Sequence, residues 1–444
     1  MKSTAVWFAI SFLIGGSSLT GTDEVDDFVR RQMEKRQTPG LALLVVKDGQ
    51  IVKSQGYGMA NLEHQVPVKP ETIFQSGSVG KQFTATAVMM LAQEGKLSLE
   101  DPIGKHLTVP ESWKGITIRH LLTHTSGLGD YPPDLDFRKD YTEDELFEMV
   151  TKQPLLFAPG EKWQYSNLAY VTLGILIHKI SGKFYGDFLQ ERVFQPLGMT
   201  STRIINEPDI VPNRAAGYRL VKEEIKNQDW VSPTLNTTAD GALYFNVVDL
   251  AKWDAALYTE KLLKKSSLEE MWTPVKLADE SSYPYGLGWG VGQYNGHRRI
   301  EHGGGWQGFA THITRYVDDR LTVVVLTNLA QADPQYIAHG IAGFYVPELA
   351  LAKHTRIDID PKLLQLYAGK YELAPGRVLE ITPGDNMLLV KLGERPREFL
   401  PEANDTFYRE DSETVLRFET DGAGMVTHMV LDSGGMPQKL KRVP

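Results

Sequence analysis

The chain of 444 residues contains no cysteine. That excludes a disulfide framework, thiol chemistry and a lipid-bearing cysteine near the N-terminus, so the fold must rest on its cores. Basic residues are in the minority. With 47 Lys and Arg against 56 Asp and Glu, the formal net charge of −9 argues against nucleic acid or an anionic membrane surface as a partner. Runs of like charge, internal repeats and low-complexity tracts are missing, and the lysines of residues 261–265 are broken by Leu262 and Leu263. Long apolar runs are missing too, except over residues 5–16, which are too few to span a bilayer. Behind Met1-Lys2 and ahead of Ser17-Ser18, that run reads as a secretory signal peptide over residues 1–22, cut between Ser18 and Thr22. The expectation is an exported protein, periplasmic or secreted, with no stable membrane anchor.

What the chain does contain begins with Ser78-Val79-Gly80-Lys81, where a polar loop gives way to a helical stretch over residues 82–94. Residues at i and i+3 share a helix face, so this spacing puts a hydroxyl beside an amine. A serine at a helix N-terminus also lies next to backbone N–H groups able to hold an oxyanion. Serine is a poor nucleophile at neutral pH and needs a base whose pKa has been depressed by burial or a neighbouring charge; Lys81 is the candidate. The pattern recurs by chance in a chain this long, as a serine-capped, solvent-facing helix, and gains weight only from its companions. The first companion is Tyr165-Ser166-Asn167, after the turn Phe157-Ala158-Pro159-Gly160-Glu161 and ahead of a helix over residues 168–180. The second is His302-Gly303-Gly304, closing a strand over residues 298–301 behind the Asn295-Gly296 hairpin turn. Tyr244-Phe245-Asn246 repeats the Y-x-N spacing but lacks the Pro-Gly-Glu turn and falls too late in the order.

In this order the motifs make the chain resemble the serine β-lactamase and penicillin-binding superfamily, in the branch of class C β-lactamases, D-amino-acid peptidases and S-x-x-K esterases. The similar stretches are Phe74-Gln75-Ser76-Gly77 running into Ser78 and on to Ala85, Leu97-Ser98-Leu99-Glu100-Asp101-Pro102, and Leu121-Leu122-Thr123-His124-Thr125-Ser126-Gly127-Leu128. They continue through Pro159-Gly160-Glu161, Tyr165-Ser166-Asn167, Val248-Asp249-Leu250-Ala251-Lys252-Trp253 and His302-Gly303-Gly304. The resemblance implies Ser78 as nucleophile and Lys81 with Tyr165 as base. It implies Asn167, His302, Gly303 and Gly304 on the substrate, and the N–H groups of Ser78 and Gly305 as oxyanion hole. It implies neither metal nor cofactor. Tyr165 would serve as a phenolate stabilised by Lys81 and a protonated His302, and Gly303 and Gly304 would let the strand edge approach a substrate. Dedicated β-lactamases and D,D-peptidases of the family carry Lys-Thr-Gly as their third motif. His302 replaces that fixed cation with a group titrating near neutrality, as in the family's D-peptidases and esterases, which predicts a carboxylate reader that fades as pH rises. Arg298 and Arg299 are the nearest other cations in sequence.

Periodicity gives an α+β organisation. A helix over residues 25–37 precedes a hairpin of residues 41–46 and 51–55 around Asp48-Gly49. Helices follow at 118–124, 143–151, 169–180 and 184–193, strands at 286–294, 298–301, 309–316 and 321–328, and a helix at 334–345. Strands at both ends with helices between them predict an antiparallel sheet flanked by helices, with an inserted helical lobe and the site between the two. The hydrolase unit is read as residues 23–350. Residues 360–444 read as a second unit, a small antiparallel β-barrel of eight short strands, with turn signals at Pro375-Gly376, Pro383-Gly384-Asp385, Asp421-Gly422 and Ser433-Gly434-Gly435. The segment Leu366-Tyr367-Ala368-Gly369-Lys370-Tyr371-Glu372 resembles the opening of lipocalin-like domains attached to this family.

His120 and His124 have the i, i+4 spacing of a metal site, but Leu121 stands where a zinc peptidase has its glutamate, so no metal is expected. Trp289, Trp306, Tyr131 and Tyr283 could line a cleft, but aromatics at this density more often belong to core or scaffold, so none is taken as a site residue. Three functions remain open: a hydrolase of small amides, esters, D-peptides or β-lactams; a penicillin-binding sensor acylated without turnover; and a silent scaffold whose barrel binds a ligand. Any partner is a small-molecule or short-peptide substrate, and oligomeric state is not legible.

Overall fold

A computed structural model describes residues 20–374, 377–391, 396–434 and 437–443. The expected signal peptide falls almost wholly outside the described residues, as do the turn at Pro375-Gly376 and Gly435 of the last turn. No described helix is long and apolar enough to cross a membrane.

The central sheet is antiparallel and draws on both ends of residues 40–327. In space its strands run Gly290–Tyr294, His297–Trp306, Phe309–Tyr316, Leu321–Thr327, Gly40–Lys47, Gln50–Asn61 and the short Val66–Pro67. Gly40–Lys47 reads as an unbroken apolar run because both its faces are covered. Leu41, Leu43 and Val45 pack with Val25 and Val29 of the helix Thr20–Arg36 and Ile337 and Ile341 of Pro334–Tyr345. Ala42, Leu44 and Val46 point the other way, into the large core shared with the helical lobe. That lobe holds the helices Lys81–Gln93, Ile118–Leu122, Glu143–Thr151, Asn167–Ser181 and Tyr185–Leu189. Thr142 and Glu145 form the capping box that starts Glu143–Thr151.

Several local expectations shift. The strand read over residues 286–294 starts only at Gly290, because Gly286 and Trp289 close a turn (Gly286 N to Trp289 O, 2.8 Å) and Gly288 takes φ +77°. The third motif does not close its strand. His297–Trp306 continues through it, with Gly303, Gly304 and Gly305 paired to His312, Thr311 and Ala310. The helix read over 118–124 stops at Leu122, and His124 has φ +59°. The 184–193 helix becomes Tyr185–Leu189 followed by a π turn, Gln190–Phe194.

The C-terminal strands form a closed eight-stranded antiparallel barrel, each strand pairing with the next and Pro437–Val443 closing on Gly369–Ala374. Tyr371, Leu379, Phe399, Phe407, Phe418 and Leu440 are buried together inside it, so side chains occupy its interior, as expected for eight strands. The barrel shares buried polar contacts with the residues before it. His339 donates from Nε2 to Glu301 (2.6 Å) and from Nδ1 to the barrel's Glu413, and Arg299 donates to Gly434 O.

Candidate active site

Ser78 sits in a single 3₁₀ turn, Gly77–Gly80, that feeds directly into the helix Lys81–Gln93. Glycine is required around it for two steric reasons. Gly77 has φ +50°, and a Cβ there would stand 2.4 Å from Gly305 N. A Cβ on Gly304 would meet Ser76 O at 2.1 Å and Ser78 N at 2.9 Å. Gly304 has a steric reason beyond the expected approach of a substrate, since its strand lies against the Ser78 backbone, and a Cβ on Gly303 would only brush His312 at 3.4 Å. The same packing brings Gly305 beside the Ser78 turn.

Lys81 is 0 % exposed. Its Nζ reaches Ser78 Oγ at 3.0 Å, Asn167 Oδ1 at 2.7 Å and the Asp240 carbonyl at 2.6 Å, and lies 4.9 Å from the centre of the Tyr165 ring. Three acceptors match the three N–H groups of an ammonium. Burial nonetheless lowers its pKa to about 8, with the negative charges of Asp240 and Asp130 limiting the fall. Asn167 is held from its other end: its Nδ2 donates to Asp130 at 3.1 and 3.2 Å. Its amide is thus engaged with a carboxylate, and the expected donation to an acyl carbonyl would fall to the Nδ2 N–H not directed at Asp130.

Tyr165 arrives through backbone pairing of the Pro-Gly-Glu loop with the 124–127 segment (Leu156 N to Gly127 O, 2.8 Å; Gly160 N to Thr125 O, 2.8 Å; Gln164 N to His124 O, 2.9 Å). Ser166 then caps the helix Asn167–Ser181 through Ala169 N, at 3.1 Å. The phenol is not a phenolate. Burial holds its pKa well above the usual 10, only partly offset by a hydrogen bond with Ser78, and Asp240 and Asp130 push it further up. The expectation of a depressed Tyr165 pKa fails because desolvation outweighs the hydrogen bond with Ser78.

His302 is corrected for the same reason. Burial, then the charge on Lys81, lowers its pKa to about 3, so it carries no charge near neutrality and cannot read a carboxylate. Its hydrogen bonds fix the tautomer. Nδ1 lies 2.6 Å from Gly303 O and must donate to that carbonyl, leaving Nε2 to accept from Tyr285 Oη at 2.8 Å. Tyr285 having spent its proton, His124 Nε2 donates to it at 3.2 Å, while His124 Nδ1 accepts from Ser166 N at 3.1 Å. A one-directional chain therefore links the second motif to the third through two neutral imidazoles, and the His124 pKa is likewise well below normal. His124 has this place in the site; its partner in the metal spacing, His120, sits in the capping box with Thr117. The fallback cations are occupied, Arg298 by Glu269 at 2.9 Å and Arg299 by Glu301 at 3.1 Å.

Beside Ser78 lies a cavity of about 90 Å³ walled by Asn167, Tyr131, Asp240, Gly305 and Trp306. Tyr131 Oη donates to Asp240 at 3.3 Å. Sequence reasoning named Tyr131 and Trp306 as candidates without choosing them, and placed Trp289 beside them although it is wholly buried in the main core. It missed Asp130, Asp240 and Tyr285, which no spacing links to a motif. Asp130, three residues past the Ser126-Gly127 turn, was the most accessible clue. The lookalike Tyr244-Phe245-Asn246 lies in a strand paired to Phe74–Gln75 and in the cap of Val247–Ala256. That helix supports the helix Lys81–Gln93 from behind, through Trp253 on Gln82 (3.0 Å) and Phe83. Glu301, His312 and His339 place ligand-type atoms within 4.8 Å of one another. Both imidazoles bond to Glu301, which also pairs with Arg299.

Residues 25–344 match the model of the family described as Beta-lactamase. The chain is 30 % identical over 437 residues to penicillin-binding protein 4* of Bacillus subtilis (strain 168), covering 92 % of this chain and 96 % of the relative. Among solved structures, it superposes on the octameric penicillin-binding protein homologue from Pyrococcus abyssi with a TM-score of 0.70 and 26 % identity, over 95 % of this chain and all of that one. A penicillin binding protein from Bacillus halodurans superposes with a TM-score of 0.62 and 28 % identity, over 70 % of this chain and 96 % of its own.

Proposed function

The chain belongs to the beta-lactamase family and is an enzyme of serine hydrolase type, and from that premise we propose that it works through an acyl-enzyme on Ser78. Lys81 in its neutral form takes the Ser78 proton as Oγ bonds to a carbonyl carbon. Neutral Tyr165, hydrogen-bonded to Ser78, gives its own phenolic proton to the leaving atom as its bond to carbon breaks, and Lys81 passes the proton taken from Ser78 to the Tyr165 oxygen in its place. Water repeats the sequence and frees the acyl group. The N–H groups of Ser78 and Gly305 hold the oxyanion, an interaction worth about 3–4 kcal/mol per donor in comparable enzymes. The observation that carries the reading is Lys81 Nζ, wholly buried, at 3.0 Å from Ser78 Oγ with its pKa brought to about 8.

The substrate class follows from charge. With His302 neutral and Arg298 and Arg299 paired, no cation among these reads a substrate carboxylate, while Asp130 and Asp240 stand on the Ser78 side. This favours neutral or amine-bearing esters, amides and D-amino-acid derivatives over β-lactams, which carry a carboxylate. The signal-peptide reading supports a reaction outside the cytoplasm. The test is labelling of purified protein with a fluorophosphonate, alongside kcat/KM for D-amino-acid amides, p-nitrophenyl esters and a cephalosporin. Labelling that persists in Ser78→Ala would refute the assignment, and a cephalosporin preferred over both neutral classes would refute the substrate reading.

A further inference from the structure

A second cavity, of about 300 Å³, has Tyr165 and His302 in its lining and shares no lining residue with the first. The hydrolase unit gives it an aromatic wall in which Trp163 stacks on Tyr283 with ring centres 4.1 Å apart and planes 12° from parallel. Its opposite wall is not from the hydrolase unit: Leu431, Ser433 and Gln438 belong to the barrel strands Val426–Ser433 and Pro437–Val443. Resting on the acyl-enzyme reading, we propose that this cavity is the leaving-group pocket, that the barrel supplies its specificity-determining wall, and that it takes an uncharged apolar or aromatic group.

The side is assigned by proton bookkeeping. The proton removed from Ser78 must be returned to the oxygen or nitrogen whose bond to the acyl carbon breaks, so the leaving group departs beside the residue that carries the proton. Tyr165 lines this cavity, whereas Ser78 and Asn167 line the smaller one. The chemistry is assigned by what the walls offer. Glu301 and His312 reach the lining, but Glu301 is committed to Arg299, His312 and His339, and His302 is committed to Tyr285 and Gly303 O. Ring faces, Pro284, Leu431, the neutral side chains of Gln335, Ser433 and Gln438 and the unpartnered Nδ1 of His312 remain. The volume is that of about ten waters, enough for a naphthyl-sized group.

The wall is held in register by contacts that do not depend on substrate. Arg299 donates to Gly434 O, one residue beyond Ser433, and His339 bridges Glu301, the residue before His302, to Glu413 of the barrel. Gln438 is oriented by its Nε2 on Leu373 O, at 2.9 Å. The barrel is thus fixed against the third-motif strand.

The test uses the full chain and ethyl against 2-naphthylmethyl esters of one acyl group, whose alcohols leave with similar ease. Ser433→Trp should lower the naphthylmethyl-to-ethyl ratio of kcat/KM by about tenfold or more, and Leu431→Ala should change it by about threefold. 2-Naphthylmethanol should inhibit the wild type competitively, with an inhibition constant that rises at least as much in Ser433→Trp. Ratios within twofold of wild type in both variants, or a loss that strikes both esters equally, would overturn the proposal. Failure of the acyl-enzyme reading looks different: neither ester would turn over and Ser78 would not label in the wild type, while calorimetry would still detect 2-naphthylmethanol if the pocket exists.

Discussion

Replacing Asp130 by asparagine isolates the electrostatics of Lys81, the proposed base. The Asp130 carboxylate reaches Asn167 Nδ2 at 3.1 Å, and Asn167 Oδ1 accepts from Lys81 Nζ at 2.7 Å, so one amide and two hydrogen bonds set the charges about 7 Å apart. At that range a unit charge contributes ~0.6 kcal/mol in a water-like medium and ~1.2 kcal/mol at an effective dielectric of about 40. That equals about 0.4 to 0.9 of a pKa unit. Asp130 is exposed, which favours the lower figure. Its negative charge raises the Lys81 pKa, so Asp130→Asn should lower it from about 8. The amide oxygen introduced by the substitution can still accept from Asn167, which preserves the geometry. The assay is the second-order rate of Ser78 labelling by an uncharged fluorophosphonate against pH, because labelling needs no deacylation. The wild-type rate should rise with pH to a plateau through about 8, where roughly a tenth of Lys81 is already neutral at pH 7, against under ~0.1 % of an exposed lysine. In Asp130→Asn the limb should move about half a unit toward acid, and less so in high salt. A limb that stays put or moves toward alkali would refute the coupling. A rate that falls as pH rises through 8 would mean that protonated Lys81 is needed, and would remove it as the base.

Other expectations follow from the same geometry. The kcat/KM ratio for an anionic and a neutral ester should be flat between pH 5.5 and 7, because His302 stays neutral down to about 3; a ratio that decays with a midpoint near 6.5 would restore His302 as the carboxylate reader. Lys81→Ala and Tyr165→Phe should each cost several powers of ten in labelling rate, and the double variant little more than the worse single one, since they share one proton; additive losses would assign them to separate steps. Between the two units, burial of His339 is outweighed by the charges of Glu301 and Glu413, and its pKa rises to about 9. A histidine raised in the folded state stabilises fully below its unfolded pKa near 6.5, and that stability drains away as pH climbs through 9. The loss should reach about 3 kcal/mol. Lys81, whose folded pKa is lowered, acts oppositely but only above about 8, so the window from 6.5 to 8 reports His339. Urea unfolding across that window should show falling stability in the wild type and a flat profile in His339→Gln; equal slopes in both would refute the link.

Ser78 and Lys81 were legible in the sequence because i and i+3 on one turn is a local relation that any helix satisfies. The barrel was legible for a similar reason: alternation in segments such as Val378 to Ile381 and Val426 to Asp432, punctuated by glycine turns, specifies strands without reference to distant residues. Order along the chain was enough to join Tyr165-Ser166-Asn167 and His302-Gly303-Gly304 to the nucleophile by resemblance. Charge states were not legible. A histidine at 302 looks titratable and a tyrosine beside a lysine looks activated until burial is known, and burial is set by packing of segments more than a hundred residues apart. Tertiary structure alone made His302 neutral, kept the Tyr165 phenol protonated and brought Lys81 to about 8. It alone set Asp130 and Asp240 around Lys81, and only it brought Leu431, Ser433 and Gln438 to a cavity beside Tyr165. Local pattern determined which groups could react; the desolvation and charge that decide how they react are long-range, and come into being only when the chain is packed.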